Sequence, residues 1–279
     1  MQNQTVTNRI GFIGGGNMAT SLISGIAAQG DASLKNLWVF EPNAEKAKTL
    51  ALEFGINRAK DNAELIANSD IVVIAVKPQV LQQVLTPCVN DFKQQQPLII
   101  SIVAGIAAAS IEKWLEGDYS IVRVMPNTPA LIGMGACGLF ANQKVDQQQR
   151  NAAAKLCNSV GISAWVNSEA DIDSVTALSG SGPAYFMLFI QGLIEAAVAA
   201  GLSADTARAL AVQTAAGAAQ LISASNDTPL QTLINNVTSP NGTTEKALQS
   251  FANANLKHVI ADAFDAARTR SDELAKELG

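Results

Sequence analysis

Short apolar runs alternate with helical patterns along the first half of the chain. Seven runs are predicted to be strands: residues 10–13, 37–40, 71–76, 98–103, 121–124, 137–140 and 162–166. Helical spacing and capping residues predict helices between them: 18–29, 44–54, 63–68, 80–89 and 147–159. Because strands and helices alternate, this half is predicted to form a mainly parallel sheet with right-handed crossovers.

The pattern changes after about residue 167, where no strand-like run follows. Six helical runs occupy the rest of the chain: 171–178, 184–200, 204–223, 229–235, 243–252 and 256–276. We therefore predict an α/β fold with two domains, a sheet domain at 1–167 and an all-helical domain at 168–279.

Composition adds an expectation about subunit contacts. Of the 279 residues, 48% are hydrophobic and only 15% are charged, whereas about a quarter are charged in an average soluble protein. The helical half has little charge with which to cover its surface. We expect part of that surface to be buried between subunits.

Charge and cysteine usage exclude several partners. The net charge is −5 and the basic residues are spread out, so neither a nucleic-acid groove nor a membrane-binding face is predicted. Residues 1–5 are polar, unlike a signal peptide, and stretches such as 185–194 are too short or interrupted to span a bilayer. Three isolated cysteines, Cys88, Cys137 and Cys157, are typical of small buried thiols in a reducing cytoplasm.

A glycine-rich turn follows the first predicted strand. The segment contains Gly14-x-Gly16-x-x-Ala19 and opens a helix. In such a turn the first glycine permits a tight bend, and the second lets the backbone approach a pyrophosphate. The helix N-terminus then offers free N–H groups to the phosphates. This context predicts a Rossmann-type domain that binds NAD or NADP.

The residues after the second strand are expected to contact the adenosine ribose. Glu41 would bond the ribose hydroxyls and repel a 2′-phosphate, which favours NAD. Asn43 could instead donate a hydrogen bond to a 2′-phosphate, although no arginine stands beside it. The choice between NADP and NAD stays open at this point.

The candidate chemistry lies in loops rather than in familiar catalytic groups. Segments 75–79, 103–105 and 125–129 follow strands at the sheet edge where ligands bind in such folds. The single histidine, His258, lies deep in the last helical run and is expected to be surface or core filler. Residues 236–244 join two helices with hydroxyl and glycine residues, a density of donors that suits a carboxylate.

Five motifs resemble those of the Δ1-pyrroline-5-carboxylate reductase family. They are GFIGGGNMA at 11–19, AVKPQ at 75–79, MPNTP at 125–129, LSGSGPAY at 178–185 and TSPNGTT at 238–244. The resemblance implies reduction of 1-pyrroline-5-carboxylate to L-proline with NADPH or NADH, the last step of proline biosynthesis. It also implies that the helical domain binds this small substrate and dimerises, giving a homodimer or a larger homo-oligomer such as a decamer.

The resemblance also implies the site residues. The cofactor would contact Ile13, Gly14, Gly15, Gly16, Asn17, Met18, Asn43, Asn62, Val76, Lys77 and Pro78. The substrate would contact Ser239, Gly242, Thr243 and Thr244, and no metal ligand is implied. Two positions depart from the family pattern. Glu41 is acidic near the 2′-position, and Asn241 replaces a common glycine and is expected to shift the loop backbone.

The lack of a strong acid fits reduction of a cyclic imine. An iminium already accepts hydride well, so orientation is what the protein must supply. We expect Thr244 Oγ to bond the ring nitrogen as the catalytic group.

Two alternatives stay open. One is a related reductase that acts on a β-hydroxy acid or on a different cyclic imine. A 3-hydroxy-acid dehydrogenase would be expected to carry a lysine in its long interdomain helix, and residues 182–200 contain none. The other is a non-enzymatic binding or regulatory protein, against which the intact donor loop argues.

Overall fold

The structure is a computed structural model that describes residues 8–30, 32–225 and 227–279. The polar start at residues 1–5, on which the signal-peptide prediction rests, lies outside the described residues. Eight strands form one sheet: β1 Ile10–Ile13, β2 Leu37–Phe40, β3 Asn57–Arg58, β4 Ile71–Ile74, β5 Leu98–Ser101, β6 Ile121–Met125, β7 Gly135–Ala141 and β8 Gly161–Trp165.

The strands lie in the order β3-β2-β1-β4-β5-β6-β7-β8. Neighbouring strands are parallel except β6 and β7, which run antiparallel. The order reverses direction between β1 and β4, so the crevice beyond their carboxyl ends is the topological switch point where such folds bind ligands. The predicted α/β class with a mainly parallel sheet is confirmed.

Apolar side chains cover both faces of the sheet and alternate along the central strands. In β1, Phe12 belongs to the core cluster on one face and Ile13 to the cluster on the other. Val73 and Val72 of β4 divide in the same way. Burial on both faces explains why these strands are continuous apolar runs in the sequence.

Seven helices cover this sheet: α1 Asn17–Ala28, α2 Ala44–Phe54, α3 Asn62–Ala67, α4 Leu81–Leu85, α5 Val89–Gln95, α6 Ala108–Trp114 and α7 Gln147–Asn158. Local caps set several of their ends. The Asn43 side chain accepts a hydrogen bond from the Lys46 N–H at 3.0 Å where α2 begins, and Gly55 ends that helix with φ 67°. Both caps lie directly beside the predicted helix at 44–54.

Four elements differ from the predicted pattern, and one of them is α5, which runs to Gln95 beyond the predicted helix end at residue 89. Strand β3 has only two residues, and helix α6 has only seven, so neither produces a clear periodic signal. The predicted helix at 80–89 is divided into α4 and two 3₁₀ turns, Pro78–Val80 and Thr86–Cys88. Pro87 lacks the N–H that a continuing α-helix requires.

The rest of the chain is helical, as predicted. Its helices are α8 Asp171–Val175, α9 Gly182–Ala199, α10 Ala204–Ala224, α11 Leu230–Asn236, α12 Thr243–Asn253 and α13 Leu256–Leu278. One turn of π-helix, Thr176–Gly180, joins α8 to α9. After Trp165, the described residues contain no further strand.

The chain divides into two compact units. The described residues up to Ser181, together with Ala267–Gly279, form the first, which we call the sheet unit, and those within Gly182–Ala266 form the second, the helical unit. This division differs from the predicted boundary at residue 167. The polypeptide also enters the sheet unit twice, since the last part of α13 belongs to it.

Contacts within the sheet unit explain the difference. Helix α8 packs on the sheet, where the Val175 side chain fills the space beside Gly138 of β7. The end of α13 packs there too, because Ser271 Oγ donates a hydrogen bond to Asp173 Oδ1 at 2.7 Å. Apolar periodicity marks these segments as helical but does not indicate which unit they pack against.

One helical stretch corrects an expectation about membranes. Asp171–Ala199 is helical over 29 residues and is long and apolar enough to cross a bilayer by length and composition. Serine, glycine and proline residues interrupt the apolar pattern at 179–183. The helix nevertheless continues through this segment, because the π turn joins α8 to α9. Helices of soluble proteins meet the same criteria when they are buried in a core or an interface, and the absence of a membrane partner stays a prediction.

Candidate active site

Gly14 forms the bend of the glycine turn. Its N–H donates to the carbonyl oxygen of Phe40 at 2.9 Å, and its φ of 97° is a conformation that residues with a Cβ rarely adopt. A Cβ on Gly14 would lie 2.7 Å from the carbonyl oxygen of Ala75. The turn therefore requires glycine here for backbone reasons alone, because it fits between the ends of β2 and β4.

Gly16 differs from Gly14 in what surrounds it. Its φ of −65° is ordinary, and a Cβ there would meet only the Ala75 carbonyl oxygen, at 3.9 Å. Packing does not require glycine at this position, which agrees with the predicted close approach of a ligand. Helix α1 begins at the next residue with no side-chain cap and no acidic residue in its first turn. The first-turn N–H groups, including those of Asn17 and Met18, are the ones that an α-helix leaves for an anion.

The end of β4 brings the AVKPQ motif beside this turn. The Ala75 N–H donates to the carbonyl oxygen of Ile13 at 2.9 Å. Val76 Cγ1 lies 3.1 Å from the position of a Cβ on Gly14. Lys77 is exposed and precedes the 3₁₀ turn that starts at Pro78. The predicted residues at the ends of β1 and β4 are thus neighbours at the switch point.

Asn62 carries a buried acceptor without a donor. It is the first residue of α3, and among the described residues its Oδ1 is the buried side-chain oxygen or nitrogen that lacks a hydrogen-bond partner. The nearby Cys88 thiol is buried, and burial raises its pKa to about 11. Leaving such an acceptor unsatisfied costs on the order of 1–3 kcal/mol. A ligand hydroxyl would satisfy it, so Asn62 and the glycine turn both fit a bound dinucleotide.

Asn127 of the MPNTP motif has a structural role that the sequence did not indicate. It is buried, its Nδ2 donates to the carbonyl oxygen of Ser179 at 3.0 Å, and its Oδ1 accepts from the Ala136 N–H at 2.9 Å. Met125 Cε also lies 2.6 Å from the position of a Cβ on Gly180. The MPNTP motif therefore holds the π turn of the LSGSGPAY motif against the sheet. No spacing rule pairs two motifs that are about 50 residues apart.

Replacing Asn127 by alanine is expected to lower the free energy of unfolding by about 2–4 kcal/mol. The change leaves the Ser179 carbonyl and the Ala136 N–H without partners, and each costs roughly 1–3 kcal/mol. Urea denaturation measures the loss. Asn151→Ala, at an exposed position of α7, is the control and should change stability by less than about 0.5 kcal/mol. Equal losses in the two variants would contradict the role of Asn127.

In the helical unit, Ser239 to Gly242 form a tight turn before α12. The Gly242 N–H donates to the Ser239 carbonyl oxygen at 3.0 Å, and Asn241 has φ 58°. Asparagine tolerates this left-handed conformation better than most residues. The Asn241 N–H also donates to Glu245 Oε2 at 2.9 Å. Asn241 thus adopts a backbone conformation that glycine favours, and a shifted loop is not required.

Thr243 and Thr244 are the first two residues of α12. The helix has Gly242 as its N-cap and no side-chain cap, so the first-turn N–H groups of Thr243 and Thr244 face away from intrahelical partners. Thr244 is half-buried and Thr243 is exposed. Two hydroxyls and adjacent N–H groups at a helix N-terminus can bind a carboxylate.

The other titratable groups do not form a catalytic cluster. His258 is 67% exposed, and its Nε2 lies 3.5 Å from Asp262 Oδ2, which agrees with a surface role. Cys88, Cys137 and Cys157 are all buried free thiols, as the sequence indicates. Within residues 8–30, 32–225 and 227–279, no group of three His, Cys, Asp or Glu side chains could hold a metal ion.

The sheet order and the glycine turn at the switch point define a Rossmann-type dinucleotide-binding domain, and the family match below makes the class an NAD(P)-dependent oxidoreductase. Residues 9–105 match a family model described as NADP oxidoreductase, coenzyme F420-dependent. Residues 169–274 match one described as pyrroline-5-carboxylate reductase dimerisation.

Relatives that align with nearly the whole chain identify the family. The chain is 47% identical to pyrroline-5-carboxylate reductase of Pseudomonas aeruginosa, with 98% of this chain and 99% of the relative covered. It is 39% identical to that of Vibrio alginolyticus, with 96% and 98% covered. The chain belongs to the pyrroline-5-carboxylate reductase family, and the predicted resemblance is confirmed.

Solved structures of pyrroline-5-carboxylate reductases superpose on nearly the whole chain. A pyrroline-5-carboxylate reductase from Coxiella burnetii superposes with a TM-score of 0.93 at 39% identity, covering 96% of this chain and 99% of that one. A Plasmodium falciparum pyrroline carboxylate reductase with NADP bound gives a TM-score of 0.83 at 34% identity, covering 96% and 98%.

Proposed function

We infer that this chain reduces 1-pyrroline-5-carboxylate to L-proline with NADPH or NADH, the last step of proline biosynthesis. The observation that carries this function is the match over nearly the whole chain to reductases named for that substrate. The TSPNGTT motif lies at the start of α12, where backbone N–H groups are left without intrahelical partners, which supports a carboxylate-binding role. The predicted cofactor, NADP or NAD, agrees with the NADP oxidoreductase family matched by residues 9–105.

The cofactor residues have distinct proposed roles. Gly14 shapes the turn, Gly15 brings its backbone close to the cofactor, and Gly16, Asn17 and Met18 present backbone N–H groups to the pyrophosphate. These assignments are supported by the uncapped start of α1 and the open space at Gly16. The remaining contacts would come from the strand ends and from two asparagines: Ile13, Asn43, Asn62, Val76, Lys77 and Pro78.

The substrate is proposed to bind through its carboxylate at the start of α12. Ser239, Gly242, Thr243 and Thr244 supply hydroxyl and N–H donors there, and the helix dipole favours the negative charge. Thr244 Oγ accepts the hydrogen bond of the protonated ring nitrogen, which fixes the orientation of the C=N bond.

This arrangement accounts for reduction without a strong acid. The bound nicotinamide supplies the hydride that forms the new C–H bond, and the C=N π electrons become the nitrogen lone pair of the secondary amine. Residues 236–244 contain no His, Asp or Glu. We therefore propose that the substrate arrives protonated and that Thr244 holds the nitrogen in place during transfer, an orientation effect.

The helical unit is proposed to form a homodimer, and the dimers a larger homo-oligomer such as a decamer. Phe186 and Leu188 of α9 are 72% and 70% exposed in the single chain, and Leu210 of α10 is 59% exposed. Such apolar surface marks an interaction site, and the family matched here is named for dimerisation. Light scattering is expected to give a multiple of the 29.1 kDa chain mass, whereas the mass of one chain would contradict the proposal.

We also propose that the protein is cytoplasmic. Its three cysteines are buried free thiols, which suits a reducing compartment. Fractionation of cells that express the chain at native level tests this placement.

A purified-protein assay tests the activity. The protein is mixed with 1-pyrroline-5-carboxylate, and the oxidation of NADH and of NADPH is followed separately while proline is quantified. Proline formation equal to cofactor oxidation is expected with at least one of them. Activity with neither would overturn the proposed function.

A further inference from the structure

The carboxylate of Glu41 lies over the glycine turn, at the end of β2. Its Oε2 accepts a hydrogen bond from the Gly15 N–H at 3.0 Å, and its Oε1 accepts one from the Asn43 N–H at 3.1 Å. The negative charge is therefore held in one place by two backbone donors. It joins the phosphate-binding turn to the start of α2.

Gly15 allows this close approach. A Cβ on Gly15 would lie 2.8 Å from Leu50 Cδ1 and 3.2 Å from Glu41 Cβ. A larger residue would push the Glu41 side chain off the turn. Glycine at the middle position of the turn thus serves the carboxylate as well as the phosphates.

The end of β2 is where the adenosine ribose lies in folds of this type. Each carboxylate oxygen has a second lone pair, so Glu41 can still accept hydrogen bonds from both ribose hydroxyls of NADH. A 2′-phosphate, with its own negative charge, would have to approach a carboxylate that cannot swing away without breaking two hydrogen bonds.

The neighbouring residues offer little compensation for a 2′-phosphate. Asn43 uses its Oδ1 to accept the Lys46 N–H at 3.0 Å, so capping α2 fixes this side chain and leaves only its neutral Nδ2 as a donor. Between residues 41 and 46, Glu41 and Glu45 are opposed by Lys46 alone, and there is no arginine.

We propose that Glu41 determines the nucleotide specificity of this chain and makes it bind NADH more tightly than NADPH. The proposal rests on the proposed function only in taking the cofactor to be a nicotinamide dinucleotide. It goes against the NADP named for the family matched by residues 9–105 and found in the Plasmodium falciparum structure.

Fluorescence titration of NADH and NADPH, without substrate, tests the proposal on the wild-type protein and on Glu41→Gln. The wild type is expected to bind NADH at least about tenfold more tightly, which corresponds to about 1.4 kcal/mol. Glu41→Gln removes the charge and should shrink that ratio by weakening NADH and strengthening NADPH. Equal or tighter binding of NADPH by the wild type would overturn the proposal, and so would an unchanged ratio in the variant.

A competition experiment covers the case in which the variant does not fold. Adenosine 5′-monophosphate and adenosine 2′,5′-bisphosphate are compared as displacers of NADH from the wild type. The bisphosphate is expected to be the weaker displacer, and a stronger one would refute the role of Glu41. Both binding experiments are done without substrate, so they test cofactor specificity separately from activity. Tighter binding of NADH together with no reduction of 1-pyrroline-5-carboxylate would count against the proposed function alone.

Discussion

Thr244→Val is expected to lower kcat on the order of 100-fold, the scale of a lost orienting contact. Valine keeps the shape and branching of threonine but removes the hydroxyl that we propose to hold the ring nitrogen. Thr244 is half-buried at the second position of α12, so valine should be accommodated. Steady-state assays at saturating cofactor measure the loss, with the melting temperature recorded alongside.

Thr244→Ser is the matched control for this prediction. Serine restores the hydroxyl and should recover most of the turnover. A valine variant with wild-type kcat, or a serine variant as slow as valine, would show that the hydroxyl does not act on the substrate.

Serine substitutions at Gly14 and Gly16 are expected to separate the two duties of the glycine turn. Gly14→Ser forces a side chain into a φ of 97°, with its Cβ 2.7 Å from the Ala75 carbonyl oxygen. It should cost about 1–3 kcal/mol of stability and abolish cofactor binding. Gly16→Ser has ordinary φ and open space, and serine is a good N-cap, so stability should change by less than about 0.5 kcal/mol.

The two variants should nevertheless both lose affinity for the cofactor. At Gly16 the new side chain blocks the approach of the pyrophosphate and caps the N–H groups that would bind it, so we expect at least a tenfold weaker Kd, about 1.4 kcal/mol. Urea denaturation without cofactor and titration with NADH measure the two effects. If Gly16→Ser binds as tightly as the wild type, the phosphate-binding role assigned to that position is refuted.

The sheet could be predicted because burial on both faces leaves a direct mark on the sequence. β1 and β2 have the predicted bounds because each is an uninterrupted apolar run. β3 could not be predicted, since Asn57 and Arg58 form a two-residue strand that contains no apolar side chain. Element type followed from local pattern, whereas assignment to a unit depended on tertiary contacts such as that of Ser271 with Asp173.

The candidate site was predictable only in part. Glycine spacing indicated the turn, and the resemblance supplied the loop at Ser239 to Thr244. The two hydrogen bonds that the Glu41 carboxylate accepts from the Gly15 and Asn43 N–H groups could not be predicted from the sequence pattern. Asn127 was within a quoted motif, but its partners on two other segments become neighbours only when the chain is folded.

The end of α13 has a consequence for how the protein is made. Ala267–Gly279 completes the sheet unit, whose other residues come first along the chain, and Leu278 packs beside the core cluster that includes Ile13. During synthesis on a ribosome, the packing of the sheet unit therefore cannot be completed until residues 267–279 have been made. A chain truncated before residue 267 would leave this surface of the sheet unit uncovered.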